Sequence, residues 1–201
     1  MITLCMDTSQ SFLVLALINK DQIIGSVQMN SWKRQSEELF PQLIQLMETH
    51  SVTVNDLDSI VITAGPGSYT GVRIAMTVAK VFCAMKEIPL YTLGSLQLAA
   101  GNDPHCHVLM DARGHRAYHA VYENGKLVGT AEAVDLDQLK ETIRPEETVI
   151  GDGSLIGRED CWPDLAANFL ALREEWQAVE NIHLLVPEYL KPSEAYLVKK
   201  A

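Results

Sequence analysis

The stretch Ile2–Met29, "ITLCMDTSQSFLVLALINKDQIIGSVQM", decides the fold, because the chain carries its pattern twice. It reads as a three-stranded meander: "ITLCMD", then the apolar run "SFLVLALIN", then "QIIGSVQM" after a Lys20-Asp21 turn. Residues 107–134, "HVLMDARGHRAYHAVYENGKLVGTAEAV", follow the same plan, with Asn124-Gly125 as a strong hairpin turn. The two passages align without gaps: Met6-Asp7 falls on Met110-Asp111, Ala16 on Ala120, Ile24 on Val128, Gly25 on Gly129 and Ser26 on Thr130. Each copy is followed by a helical pattern and a short apolar strand ending in glycine. These are "SEELFPQLIQLMETH" with "SIVITAG", and "DLDQLKETI" with "TVIGDG". The repeat predicts an α/β protein of two related lobes, each a β-meander plus helices.

At 201 residues, 47% of them hydrophobic and 21% charged, the chain is long enough to bury a core across two small lobes. The boundary is expected at Asn102-Asp103-Pro104, dividing 1–103 from 104–201. Further helices are expected from Gly71 to Lys86, over "SLQLAA" capped by Ser95, and over "PDLAANFLALREEW" starting at Pro163. A net charge of −10 opposes a surface that wraps nucleic acid by itself, since phosphate binding needs a basic face. Cys5, Cys83, Cys106 and Cys161 are scattered and read as reduced thiols. The apolar run Phe12–Ile18 is far short of the ~20 residues of a membrane span. No basic segment precedes it to make a signal peptide, so a cytoplasmic protein is expected.

The loop Gly65-Pro66-Gly67-Ser68-Tyr69-Thr70-Gly71 leads into a long helix. It misses G-x-G-x-x-G because the third glycine comes one residue late, and it lacks the Gly-Lys-Ser/Thr of a P-loop. Two uses stay open. Amides at a helix start attract an anion, and glycines let a loop turn sharply and press on a neighbouring strand. Asp7-Thr8-Ser9 is the second candidate, a hairpin-tip carboxylate beside hydroxyls that suits Mg²⁺ or an oriented water. The same residues also serve as plain turn formers. Its counterpart in the repeat is Asp111-Ala112-Arg113. Two-lobed phosphotransferases need glycine after that aspartate, and neither copy has one. "HCH" at 105–107 alternates faces on a strand, which separates three ligands for one ion. His115 and His119 have helical spacing but lie in a hairpin, so no metal site is expected, and no nucleophile signature appears.

From Val72 to Met85 only Arg73, Thr77 and Lys80 are polar. The segment 36–50 carries Leu39, Leu43, Leu46 and Met47 on one stripe, with Phe40 and Ile44 beside it. One stripe is enough to cover one sheet. The surplus is either sandwiched inside this chain or faces another protein, and the second is the expectation. Leu39, Leu43, Met47, Arg73, Met76 and Lys80 are the candidate interface positions.

Taken together, "MDTS", "SEELFPQLIQLM", the G-P-G-S-Y-T-G-x-R loop, "MDARGHRAYHAVY", "GDG" and "VPEYLKP" resemble the TsaB family over nearly the whole chain. That family is the dimerisation subunit of the bacterial complex that makes threonylcarbamoyladenosine in tRNA. The resemblance implies an actin-like (ASKHA, RNase H-like) duplicated fold and a non-catalytic relative of TsaD. TsaD carries the metal and transfers the threonylcarbamoyl group from an adenylate to the adenosine beside the anticodon. Its metal site uses two histidines spaced H-x-x-x-H on the helix after the first meander, and residues 33–43 here contain none. Many relatives have His-Ser-Glu where this chain has Gln35-Ser36-Glu37. The resemblance further implies that the helix pair packs on the same pair of TsaD as a four-helix bundle. It adds a TsaE-type ATPase as partner, a homodimer when the chain is isolated, and tRNA reached only through the complex. On this reading Asp7, Thr8, Ser9, Gly65, Gly67, Ser68, Tyr69, Thr70 and Gly71 are a vestigial nucleotide loop. The chain then has no cofactor of its own, and ATP and metal sit on partner subunits. The alternatives are a metal-dependent hydrolase or protease, and a small ATPase using Asp7 and the glycine loop.

Overall fold

The computed structural model describes residues 1–190; Lys191 and Pro192 of the closing motif, and the end of the expected second lobe, lie outside the described residues. The first meander forms as expected, with β1 (Ile2–Asp7), β2 (Phe12–Asn19) and β3 (Gln22–Asn30) antiparallel in turn. Helix α1 (Gln35–Thr49) follows, and β4 (Leu57–Thr63) runs parallel to β1. The glycine loop then opens α2 (Tyr69–Lys86), β5 (Leu90–Leu93) extends the sheet, and α3 (Ser95–Ala100) ends this half. The second copy comprises β6 (Cys106–Asp111), β7 (Arg116–Glu123), β8 (Lys126–Asp135), α4 (Leu136–Thr142) and β9 (Val149–Gly151). Helix α5 (Leu165–Ala171) and β10 (Gln177–Ala178) complete the described chain. The strand orders are β10-β5-β4-β1-β2-β3 and β8-β7-β6-β9. In both sheets a meander is extended by a fourth strand parallel to its first. This is the actin-like duplicated α/β fold.

The first sheet is buried on both faces, which is why "FLVLALI" reads as a continuous apolar run. Leu13, Leu15 and Leu17 point to α1 and α2, together with Leu4, Met6, Ile60 and Ile62. Val14, Ala16 and Ile18 point the other way, into an inter-lobe core with Val108, Met110, Tyr118 and Ala120 of the second sheet and Phe169 of α5. The outer face of the second sheet is thinly covered: Leu109 and Ala117 lie under Leu136 and Leu139 of α4. No helix among the described residues is long and apolar enough to cross a membrane.

Three expectations need correcting. The repeat is not gapless in space. Cys5 pairs with Ala16 and Val108 with Ala120, whereas Asp7 pairs with Val14 and Asp111 with Ala117. Anchored on Ala16 and Ala120, the counterpart of Asp7 is therefore Met110, because the second hairpin turn is one residue shorter. Second, the lobes do not divide simply at 103/104. Helix α5 packs on β2 and β3, and β10 joins β5 in the first sheet. The free inner face of the first sheet draws the chain back, and Gln28 fixes the crossing by bonding Pro163 O and Leu165 N. Third, the last helix is shorter than its pattern. Asp164 caps it by accepting from Ala167 N at 2.9 Å, and α5 gives way after Ala171 to a 3₁₀ turn at Arg173–Glu175.

Candidate functional site

Each sequence-derived site residue near the glycine loop has a definite place. Ser68 is the N-cap of α2: its hydroxyl accepts from Gly71 N at 3.3 Å and its carbonyl from Val72 N at 3.0 Å. The β1–β2 turn closes over the same region. Ser68 N donates to Ser9 O at 2.7 Å, and Thr8 Oγ1 donates to Gly71 O at 2.6 Å while accepting from Ala75 N at 3.1 Å. The glycines exist for this approach. A Cβ on Gly67 would lie 2.3 Å from Ser9 O, one on Gly71 2.2 Å from Thr8 O, and one on Gly65, whose φ is +120°, 2.5 Å from Glu188 O. The loop is filled by the protein's own carbonyl oxygens, whose partial negative charge opposes a phosphate in the same place.

Asp7 stands behind this wall. It is fully buried, and its Oδ1 accepts from Ser9 N and Thr63 Oγ1, clamping the ends of β1 and β4. Burial pushes its pKa up, and the hydrogen bonds from Thr63, Ser9 and Gln10 pull part of the way back. Asp7 does not line the cleft between the lobes.

That cleft encloses about 590 Å³. Ser9, Gly67, Ser68 and Tyr69 form part of its wall on one side, and Asp111, Arg113 and Asp152 on the other. Thr8, Gly65, Thr70 and Gly71 are outside its lining. Asp152 accepts from Asp111 N at 2.8 Å, yet burial, with Asp160 and Asp111 nearby, pushes its pKa up to about 6. Arg113 is committed to Asp111 at 3.6 Å and to the ring of Trp32 at 4.9 Å across the mouth. With two carboxylates and this single basic side chain in its lining, the cleft is poorly matched to a triphosphate.

The interface candidates divide by face. Leu39, Leu43, Met47 and Met76 are all buried against the sheet as core, and of the four Leu39 also lines the groove between the two helices. Lys80 is also reassigned: its ammonium donates to the carbonyls of His183 and Leu185, inside the returning chain. Only Arg73 remains at an open surface, over the Tyr69 ring and bonded to Tyr189 Oη. The exposed side of the same two helices carries Phe40 (48% exposed), Ile44 (54%), Val81 (49%) and Met85 (77%). Between the helices runs a groove of about 380 Å³, lined by Phe40, Tyr69, Arg73, Ile74, Thr77 and Val78 among others.

One constellation was missed from the sequence. His107 and His119 stack across β6 and β7, with Nδ1 and Nε2 at 2.9 Å. Burial lowers the pKa of His107 and takes that of His119 to about 4, so both rings are neutral at pH 7. No periodicity links these two positions in the sequence; antiparallel strands bring them together diagonally, since His107 faces Val121 and Leu109 faces His119.

Two related lobes built on duplicated meanders place the chain in the actin-like class. A family profile described as TsaD, tRNA N6-adenosine threonylcarbamoyltransferase, matches residues 22–152. The tRNA threonylcarbamoyladenosine biosynthesis protein TsaB of Bacillus subtilis is 31% identical over 221 residues, covering 97% of this chain and 96% of the relative. The protein of the same name from Buchnera aphidicola subsp. Schizaphis graminum is 23% identical over 166 residues, 76% of this chain and 79% of the relative. Among solved structures, YeaZ from Pseudomonas aeruginosa has the same fold, with a TM-score of 0.74 at 22% identity over 94% of this chain and 99% of that one. The chain belongs to the TsaB family, within the broader TsaD-type family that the profile describes.

Proposed function

We propose that this chain is a non-catalytic subunit in the synthesis of threonylcarbamoyladenosine in tRNA, pairing with a TsaD-type catalytic subunit through the outer face of α1 and α2. The observations that carry the reading are the apolar groove between those helices, lined by Phe40 and Ile74 among others, and the exposed Ile44, Val81 and Met85 on the same two helices, all of which gain by leaving water. An interface there would bury on the order of 800 Å² per partner. The glycine loop filled by Thr8 and Ser9 supports the non-catalytic half of the proposal. In this reading ATP and the catalytic metal belong to partner subunits, a TsaE-type ATPase among them. Transfer RNA meets the assembled complex, and the isolated chain forms a homodimer through the same face.

The test is size measurement by light scattering, for the chain alone and mixed with the TsaD-type subunit of its own organism. Ile44→Glu and Val81→Glu are expected to remain folded and to lose both pairings. Pairing retained by both variants would refute the assigned face. Transferase activity by this chain without the TsaD-type subunit would overturn the non-catalytic assignment.

A further inference from the structure

At the opposite end of β6 from the cleft, the outer face of the second sheet gathers groups that the subunit role leaves unused. His105 and His107 alternate past Cys106, which turns into the inter-lobe core, so both imidazoles lie on one side. The loop entering β9 brings Glu147 to them. His105, His107 and Glu147 each offer one ligand atom, and those atoms all lie within 4.8 Å of one another. His107 Nε2 lies 3.7 Å from Glu147 Oε2. Tetrahedral zinc with bonds of about 2.0–2.1 Å sets its ligand atoms roughly 3.3 Å apart, so a small contraction closes the site.

The surroundings are ordered in the way that metal ligands require. Imidazole ligands are oriented when the second ring nitrogen is held by another group. His107 Nδ1 is held by His119 Nε2 at 2.9 Å, and His105 Nδ1 by Glu123 Oε1 at 3.1 Å. Glu147 is positioned from its backbone side. Arg158 donates to the carbonyls of Ile143, Arg144 and Glu147, which fixes the loop, and Arg144 N donates to Glu147 Oε2 at 2.7 Å. Three of the guanidinium's N–H donors go to those carbonyls.

We propose that His105, His107 and Glu147 form a binding site for a divalent transition-metal ion of the Zn²⁺ type, with His119 and Glu123 as orienting partners. The two-histidine, one-carboxylate set leaves a fourth position for water. The ion would tie the loop before β9 to the start of β6.

The test uses untagged, full-length chain stripped of metal by a chelator and then titrated with ZnCl₂ by calorimetry. Co²⁺ serves as a second, absorbing probe of four-coordinate geometry. One equivalent of each metal is expected to bind. His105→Gln and Glu147→Gln are expected to lose that stoichiometric binding, and His119→Gln to weaken it roughly 10–100-fold. His115→Asn, in the separate exposed cluster of His115, Asp135 and Asp137, is expected to leave it unchanged. Circular dichroism monitors folding; if Glu147→Gln unfolds the chain, the exposed His105→Gln variant decides. Absence of binding to the wild-type chain, or binding that survives in folded His105→Gln, would overturn the site.

Discussion

Backbone meets backbone where Gly71 faces the Thr8 carbonyl, so no side-chain rotation can make room for a methyl group there. Gly71→Ala, placing a Cβ 2.2 Å from that oxygen, has to push the β1–β2 turn and the start of α2 apart. The expected cost is roughly 2–3 kcal/mol, read as a lower urea midpoint with an unchanged slope. Asp152 gives a second outcome at this scale. Its folded pKa of about 6 lies above the ordinary value near 4, so the folded state holds its proton more tightly than the unfolded state does. Stability from this group therefore falls as pH rises between about 4 and about 6, and stays low above that. Asp152→Asn removes the penalty. The variant is expected to be more stable than the parent by roughly 1–2 kcal/mol at pH 7.5, after allowance for solvent screening, and equal to it at pH 4. Thermal unfolding at the two pH values checks both arms. Asp7 shows what the sequence withheld at this scale. Met6-Asp7 and Met110-Asp111 are identical pairs, and nothing in the letters reveals that one hairpin turn is shorter. The register therefore buries one aspartate behind the wall and leaves the other on the cleft.

Helix α1 places neighbours in sequence in opposite environments: Leu43 is 2% exposed and Ile44 is 54% exposed. Leu43→Ala is expected to cost about 2–5 kcal/mol by leaving a cavity over β2, whereas Ile44→Ala stays within about 0.5 kcal/mol in the isolated chain. Paired urea titrations separate them, and equal losses would mean that α1 is oriented differently. Both helices and their excess of apolar residues were legible from period alone. Which stripe faces out was not. The sheet takes the stripe Leu39, Leu43, Leu46 and Met47, which recurs at helical spacing and so presents one continuous apolar face. The positions left over, Phe40 and Ile44, are the informative ones for a partner. The histidines failed for a related reason. Their meeting depends on cross-strand register, and register is set by turn length, which periodicity does not encode.

At the scale of the whole molecule, the duplicated meanders were readable, but the return of the chain across the first lobe was not, since residues 177–190 have little regular structure of their own. Their hold is assembled from separate contacts. Gln177 and Ala178 cover the edge of β5, Val179 N donates to Leu90 O at 2.9 Å, and Glu188 N donates to Ala64 O at 2.7 Å beside the glycine loop. Val179, Ile182 and Leu185 add apolar contact with the α1/α2 core, which supplies part of the second cover that α2 requires. Lys80 is the cross-link between that segment and the helix, with Nζ 2.8 Å from Leu185 O and 3.3 Å from His183 O. Because those carbonyls lie between the Val179 and Glu188 amides, loosening Lys80 should free both anchors together. Lys80→Met keeps the aliphatic stem and removes the donors. It is expected to lower global stability by about 1 kcal/mol and to speed hydrogen exchange at the Val179 and Glu188 amides about fivefold or more. Unchanged exchange at both amides would show that apolar contact alone holds the segment. Slower binding of a partner to the variant would further show that the ordered return of the chain, next to the groove at Arg73 and Tyr69, shapes the surface the partner meets.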